Sequence, residues 1–390
     1  MELFKARART DRSPRRPDEP SFAFLDRTGS DFFVPVRELL QRWLNALPAE
    51  DRPGVAGNLS SGEDDMFDSA FWELYLHRML TGAGHDVEIH PDVPGISKHP
   101  DFLVHGHEPF YVEAVSVGYS PGKRSSERRL HDVEAVLGEA RVDGWTLSFN
   151  WQRIGSQPLK ATRLRAQLLS WLSGLSRDHQ LQARQHLNQP GHSPKLPLLV
   201  FDEAGWKLDF TALPVSSNRV PLVSISGAGR ASSPNNEPGL CRVLSNKSRR
   251  YGDGLPYPLV TAVLSNTEFP TRLYEIQPTL YGGHWLGPAQ VADFTELSSE
   301  GHWRTNRGWR RSHNPYVVVG CGINLYNVAN RAPWLWRTLD PAVTSSLDLP
   351  WAMPIDVTVP EPQAPLGRPD LAALGITEGW CTGDPDFDER

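Results

Sequence analysis

An α/β fold is the class this sequence predicts, and three stretches carry the prediction. Residues 64–82 place Phe67, Phe71, Leu74, Tyr75 and Met79 at three- and four-residue spacing, the period of a helix with one apolar face. Residues 100–117 read as two apolar runs around a turn rich in Gly, His and Pro, which is a hairpin signal. Residues 239–251 and 258–264 then give a helix followed by an apolar, β-branched run that reads as a buried strand.

The elements follow in order. Residues 1–20 carry Lys5, Arg7, Arg9, Arg12, Arg15 and Arg16 with little apolar content, and read as a mobile basic arm. An amphipathic helix starts near Pro35 and runs to 47, and a polar loop with Gly57, Ser60, Ser61 and Gly62 follows it. The helix over 64–82 has Asp64 or Asp65 as its N-cap or first-turn acid, and Gly82 and Gly84 end it. Val87 to Ile89 leads to the hairpin. A helix over 127–140, a strand over 145–151, a helix over about 160–175, and strands at 196–200 and 206–213 come next. Residues 227–239 form a Ser/Gly/Asn/Pro-rich loop, and Tyr316–Val319 is a last strand before an irregular Pro-rich, acidic tail. The domain reading is an arm at 1–20, a core with an insert at 21–285, and a C-terminal extension at 286–390.

Composition bounds the function. At 390 residues, 39% hydrophobic and 22% charged, the chain can bury a sizeable core. No apolar run approaches a membrane span, and the basic N-terminus lacks the apolar stretch of a secretory signal. The cysteines, Cys241, Cys321 and Cys381, form no zinc-type pair, so a reducing cytoplasm is expected. The net charge of −6 excludes a generically basic nucleic-acid binder, so any such contact must come from patches. There is no Walker A run, no strand-linked GxGxxG, no GxSxG elbow and no HExxH.

Three acids carry the chemistry. Asp101 opens the first strand of the hairpin, Glu113 lies within the second, and Glu73 sits mid-helix among apolar residues. Two carboxylates on neighbouring strands can share a hard cation such as Mg2+, with the carbonyl of Ala114 as a third ligand and Glu73 orienting water or ligating. The ion would polarise a phosphoryl group and activate water. Each acid alone has an ordinary alternative: a solvent-facing helix residue, a Pro-Asp turn, an exposed strand face. His85, His90, His99, His105 and His107 crowd the same region but sit around a turn, where histidine is common and solvated.

The order helix-Glu73, Pro100-Asp101, then Glu113-Ala114-Val115 on a strand resembles the PD-(D/E)XK nuclease superfamily, closely over about 60–120 and loosely to 285. The resemblance implies a restriction-endonuclease-like mixed central sheet flanked by helices. It also implies cleavage of nucleic acid, DNA ahead of RNA, with Mg2+ or Mn2+. Defence and repair are both open roles, and a homodimer is open too. The family's lysine would fall at position 115, where this chain has Val115, facing the same side of the strand as Glu113. Either the site is dead, leaving a binding or interaction module, or a lysine reaches in from elsewhere. Lys247 is the best donor, ahead of Lys98 and Lys123. It stands four residues before Tyr251, on one helical face, and resembles the Gln-x-x-x-Tyr motif of some branches with Lys in place of Gln.

Nucleic-acid contacts are expected from Arg249, Arg250 and Tyr251 beside that lysine. A second set is Arg304, Arg307, Trp309, Arg310 and Arg311, where cations interleave with indoles that could stack on bases. A hydrolase acting on another substrate is a third, weaker reading.

Overall fold

The computed structural model describes residues 1–16, 19–117, 133, 144–155, 159–176, 178–182, 196–214, 225–226, 237–251, 254–266, 271, 273–282, 300–311, 313–353, 369–377, 379–381 and 385–386. It divides into two compact units, Met1–Gly118 with Asn235–Arg390, and Tyr119–Pro234. The expected helix at 127–140 and the loop at 227–239 fall almost wholly outside the described residues.

The first unit is α/β with a mixed central sheet. Its helical layer comprises α1 (Ser21–Arg27), α2 (Val34–Ala46), α3 (Arg52–Leu59) and α4 (Asp64–Gly82). Strands β1 (Asp86–Ile89), β2 (Phe102–His105) and β3 (Phe110–Val117) form an antiparallel meander. In the second unit, β4 (Trp145–Arg153), α5 (Ala161–Ser173), β5 (Leu198–Glu203), β6 (Trp206–Pro214) and β7 (Ile225–Ser226) follow. The chain returns to the first unit with α6 (Glu237–Tyr251), β8 (Leu259–Ser265) and α7 (Leu273–Tyr281). A small hairpin of β9 (Arg304–Thr305) and β10 (Gly308–Trp309), strands β11 (Tyr316–Cys321) and β12 (Trp334–Arg337), and a one-turn α8 (Leu371–Leu374) complete it.

The sheet order is β1-β2-β3-β8-β11-β12. Its centre, β3, β8 and β11, is parallel, and the flanking strands are antiparallel. Parallel strands covered on both faces read as unbroken apolar runs, and every residue of β8, Leu-Val-Thr-Ala-Val-Leu-Ser, is buried. One face buries Val104, Val112, Val260, Ala262 and Val318 under α1–α4, where Trp72 Nε1 donates to the Ala262 carbonyl at 3.0 Å. The other face buries Val117, Val263, Val317 and Val319 against Leu240 and Leu244 of α6 and Ile276 and Leu280 of α7.

Three expectations are corrected. The region beyond 285 is not an extension: β11 and β12 belong to the central sheet. Short strands distant in sequence leave no local sign of which sheet they join. The loop after residue 47 contains α3, whose Ala56 and Leu59 face the core. The basic arm is tied down: Arg7 and Arg9 pair with Asp26 at 2.7 and 2.9 Å, Arg12 with Asp386 at 3.0 Å, and Arg15 with Asp64 at 2.8 Å. Its acidic partners are scattered along the chain, so composition alone suggested a free end.

The second unit has its own sheet, ordered β5-β6-β4-β7, and its own core of Trp145, Leu147, Trp206, Leu208 and Phe210 under Leu164, Leu168 and Leu172 of α5. Ala204 and Gly205 join β5 to β6 with φ of 49° and 86°, the left-handed pair that a tight two-residue hairpin needs. Among the described residues, no helix of either unit is long and apolar enough to cross a membrane.

The tail also contributes to the core. Leu374 and Trp380 join the cluster under α4, and Trp43 Nε1 donates to the Leu374 carbonyl at 2.9 Å. A Cβ on Gly82 would lie 2.2 Å from the Ala373 carbonyl oxygen. Gly82→Ala is therefore expected to destabilise by about 1–3 kcal/mol, although alanine favours helix, because overpacking against backbone has no cheap relief. Denaturant unfolding measures it, and an unchanged midpoint would refute the contact.

Candidate functional site

The site forms where β2 begins. The last residue of β2 paired with β3 is Phe102, opposite Val112. Asp101, one residue earlier, turns its Oδ2 onto the Ala114 N–H at 2.6 Å, and its own carbonyl accepts the His90 N–H at 2.9 Å. Asp101 is therefore built into the strand junction and not merely a turn residue after Pro100. In an extended strand a residue's N–H and C=O point to the same side, so the Ala114 carbonyl opens on this gap as well.

Glu113 sits in the middle of the sheet and has no exposed surface. Three side chains of α6 converge on it. Lys247 Nζ lies 2.5 Å and an Arg250 guanidinium nitrogen 2.8 Å from Oε1, while the Tyr251 hydroxyl donates to Oε2 at 2.5 Å. These residues fall within one turn at the end of α6, so a single helix face delivers all three. Val115, two residues on, packs instead into the apolar layer with Leu240, Leu244 and Val117. Lys247 and Arg250 thus reach the Glu113 carboxylate from the helix laid over that face.

Glu73 approaches from the α4 layer and lines a crevice with Asp101, Asp51 and His90. Burial pushes the Glu73 carboxyl up to about 7; Lys247 works against this and the Glu113 charge adds to it. Burial, with the charges of Glu113 and Glu73, pushes Asp101 up to about 8, against Lys247 and the Ala114 N–H. Between about pH 4, where an ordinary carboxyl titrates, and pH 8, these two carboxyls therefore hold more protons in the metal-free folded protein than in the unfolded chain. Their contribution to stability falls as pH rises through that window. Relative to metal-free wild type, Asp101→Asn is expected to gain stability between pH 6 and pH 8.5, read from the denaturation midpoints of the two proteins. An equal difference in the two proteins would contradict the shift.

An all-oxygen set of Asp101, Glu113 and the Ala114 carbonyl suits Mg2+ or Mn2+ in donor chemistry. Buried acids raised toward neutrality are what a bound cation would relieve. As arranged, however, Glu113 faces its three donors, and among the described residues no group of three or more His, Cys, Asp or Glu stands ready to hold a metal. Loading would require Glu113 to exchange a partner.

The second basic group is less available than its sequence suggests. Arg310 donates to the carbonyls of Gly301 and His302, and Arg311 to the carbonyl and Nδ1 of His302 and to Ser245 Oγ. Both guanidinium groups thus hold the β9–β10 hairpin together. Trp303 is fully buried. Arg304 lies over the Trp309 ring at 5.5 Å, and Arg307 is exposed at the hairpin turn. Arg249 is exposed near the site.

Sequence reasoning missed the support behind α6. His302 accepts from Arg311 at Nδ1, so its Nε2 donates to Asn314 Oδ1 at 2.7 Å, and Asn314 Nδ2 donates to Thr261 Oγ1 at 3.0 Å and to the Leu259 carbonyl at 2.8 Å. Thr261 is the register partner of Glu113. No spacing marks these residues, because they meet only through the sheet. Asp51 was likewise not singled out, and His90, read among the solvated turn histidines, lines the crevice beside Glu73 and Asp101.

Comparison with protein families, with curated proteins and with solved structures found no match.

Proposed function

We propose that the first unit is a divergent restriction-endonuclease-like domain of the PD-(D/E)XK superfamily. It would hydrolyse phosphodiester bonds of nucleic acid, DNA ahead of RNA, with Mg2+ or Mn2+, in the cytoplasm and in defence or repair. The observation that carries this reading is the approach of Lys247 Nζ to Glu113 at 2.5 Å, beside an Asp101 fixed on the Ala114 N–H. A lysine returning from a helix to the carboxylate that a strand lysine would serve supports a migrated, working site.

When bound, a divalent ion would polarise the phosphoryl group and lower the pKa of the attacking water. Asp101, Glu113 and the Ala114 carbonyl would hold it. Lys247 would supply fixed positive charge beside the developing negative charge. Glu73, beside Asp101 in the same crevice, would accept a proton from water at its carboxylate. Arg249, Arg250, Arg304, Arg307 and Trp309 offer contacts to the phosphate backbone or to bases.

The full chain incubated with single- and double-stranded DNA and RNA, with Mg2+, Mn2+ or chelator, tests the proposal. Metal-dependent cleavage lost in Asp101→Asn is the expected result, and cleavage that Asp101→Asn does not diminish would remove the site. A second reading, a binding module that kept the fold and lost catalysis, is favoured by the full engagement of both Glu113 oxygens. Binding without cleavage under every condition would select it.

A further inference from the structure

The donors on Glu113 are unevenly placed. Lys247 and Arg250 both pair with Oε1, whereas among the described residues no cation is paired with Asp101 or Glu73. One carboxylate thus holds two positive charges while two neighbouring acids hold none. In ionised form the three acids exceed Lys247 and Arg250 by one negative charge. A divalent ion added to this set would leave an excess positive charge. If it replaced Arg250, three carboxylates would face one lysine and one divalent ion, and the charges would cancel.

We infer that Arg250 stands in for the divalent cation on Glu113 Oε1 in the metal-free protein, and that a cation loads by displacing it. The inference rests on the nuclease reading of this site. Glu113 has no exposed surface, so a cation can reach it only if a donor leaves. Arg250 is the donor best able to do so. Its side chain is 35% exposed, against 23% for Lys247, and Tyr251 is 5% exposed with its hydroxyl also 3.0 Å from the His99 carbonyl. Arg250 is also the penultimate residue of α6, so its guanidinium can swing to solvent without disturbing the helix. The displaced arginine would remain at the mouth of the site, where a phosphate could take the place of Glu113 as its partner.

Titration of Mn2+ alone into the full chain tests this by calorimetry, without reference to cleavage. Arg250→Gln removes the competing charge and should bind Mn2+ about two- to fivefold tighter than wild type, the range expected for an ion pair whose arginine is partly exposed to solvent. Arg250→Lys keeps a competing charge and should stay close to wild type. Mn2+ should also raise the Tm of Arg250→Gln by more than it raises that of wild type, by linkage. Equal or weaker Mn2+ binding by Arg250→Gln would overturn the inference, as would equal tightening in Arg250→Lys. An Asp101→Asn control separates the two ideas. If Mn2+ binding is absent from wild type, or is unaffected by Asp101→Asn, the metal site itself fails and the inference falls with it. If binding depends on Asp101 but not on Arg250, only the inference fails.

Discussion

Asp101→Asn is expected to lower metal-dependent cleavage by about 10^2–10^3-fold, the loss typical when one preorganised electrostatic group is removed from an active site. Asparagine keeps the size of the side chain, and its Oδ1 can still accept the Ala114 N–H that Asp101 now accepts at 2.6 Å. The strand junction should therefore persist. What disappears is a carboxylate that burial and the charges of Glu113 and Glu73 already disfavour. Without metal, the variant should be as stable as wild type near pH 6, where Asp101 is protonated, and more stable above pH 8, where wild type must ionise a buried group. Loss of cleavage together with a gain of alkaline stability is the signature of a charge kept for function. Measured cleavage rates and denaturant midpoints at both pH values decide it. A variant that lost stability at high pH would mean that Asp101 serves the fold.

Lys247→Met should have the opposite balance, weakening both activity and fold. Methionine preserves the unbranched stem but leaves Glu113 with Arg250 and Tyr251 alone. Breaking a buried ion pair costs about 3–5 kcal/mol when the remaining charge is stranded. Because Arg250 stays, the expected loss is smaller, about 1–2 kcal/mol. Cleavage should fall by about 10^2-fold or more for want of the positive charge. A second substitution makes the test specific. Val115→Lys, added to Lys247→Met, would put a lysine back on the strand position facing the same side as Glu113. It should recover part of the lost cleavage, although it places an ammonium stem in the layer where Val115 now packs with Leu244. Full activity in Lys247→Met would discard the migrated lysine and leave Asp101 and Glu113 to be judged on their own.

Much of the fold was legible because burial leaves a local period. The stripe from Phe67 to Met79, the apolar runs around the hairpin and the wholly buried β8 each record their surroundings in consecutive residues. The order of Glu73, Asp101 and Glu113 could be read for the same reason, since each sits on an element that announces itself. Strands β11 and β12 were harder. Tyr316 to Val319 looked like a strand, but nothing in it says that its partner is β8, more than fifty residues earlier. The basic patch at 303–311 misled for a related reason. Composition counts guanidinium groups but not the carbonyls of Gly301 and His302 that Arg310 and Arg311 already satisfy.

The sequence by itself determined which residue types the candidate site has and on which elements they lie: an acid in a helix, an acid after proline at a strand start, an acid within the next strand, and a valine two residues beyond it. Only the tertiary structure decided that Lys247, 134 residues from Glu113, closes on it at 2.5 Å, and that Arg250 and Tyr251 close with it. Local patterning fixes how a segment turns its faces. Which charges meet depends on the packing of α6 across β3 and β8, set by apolar contacts such as Leu240 and Leu244 against Val117 and Val263, and such contacts carry no record of the charge they bring into place.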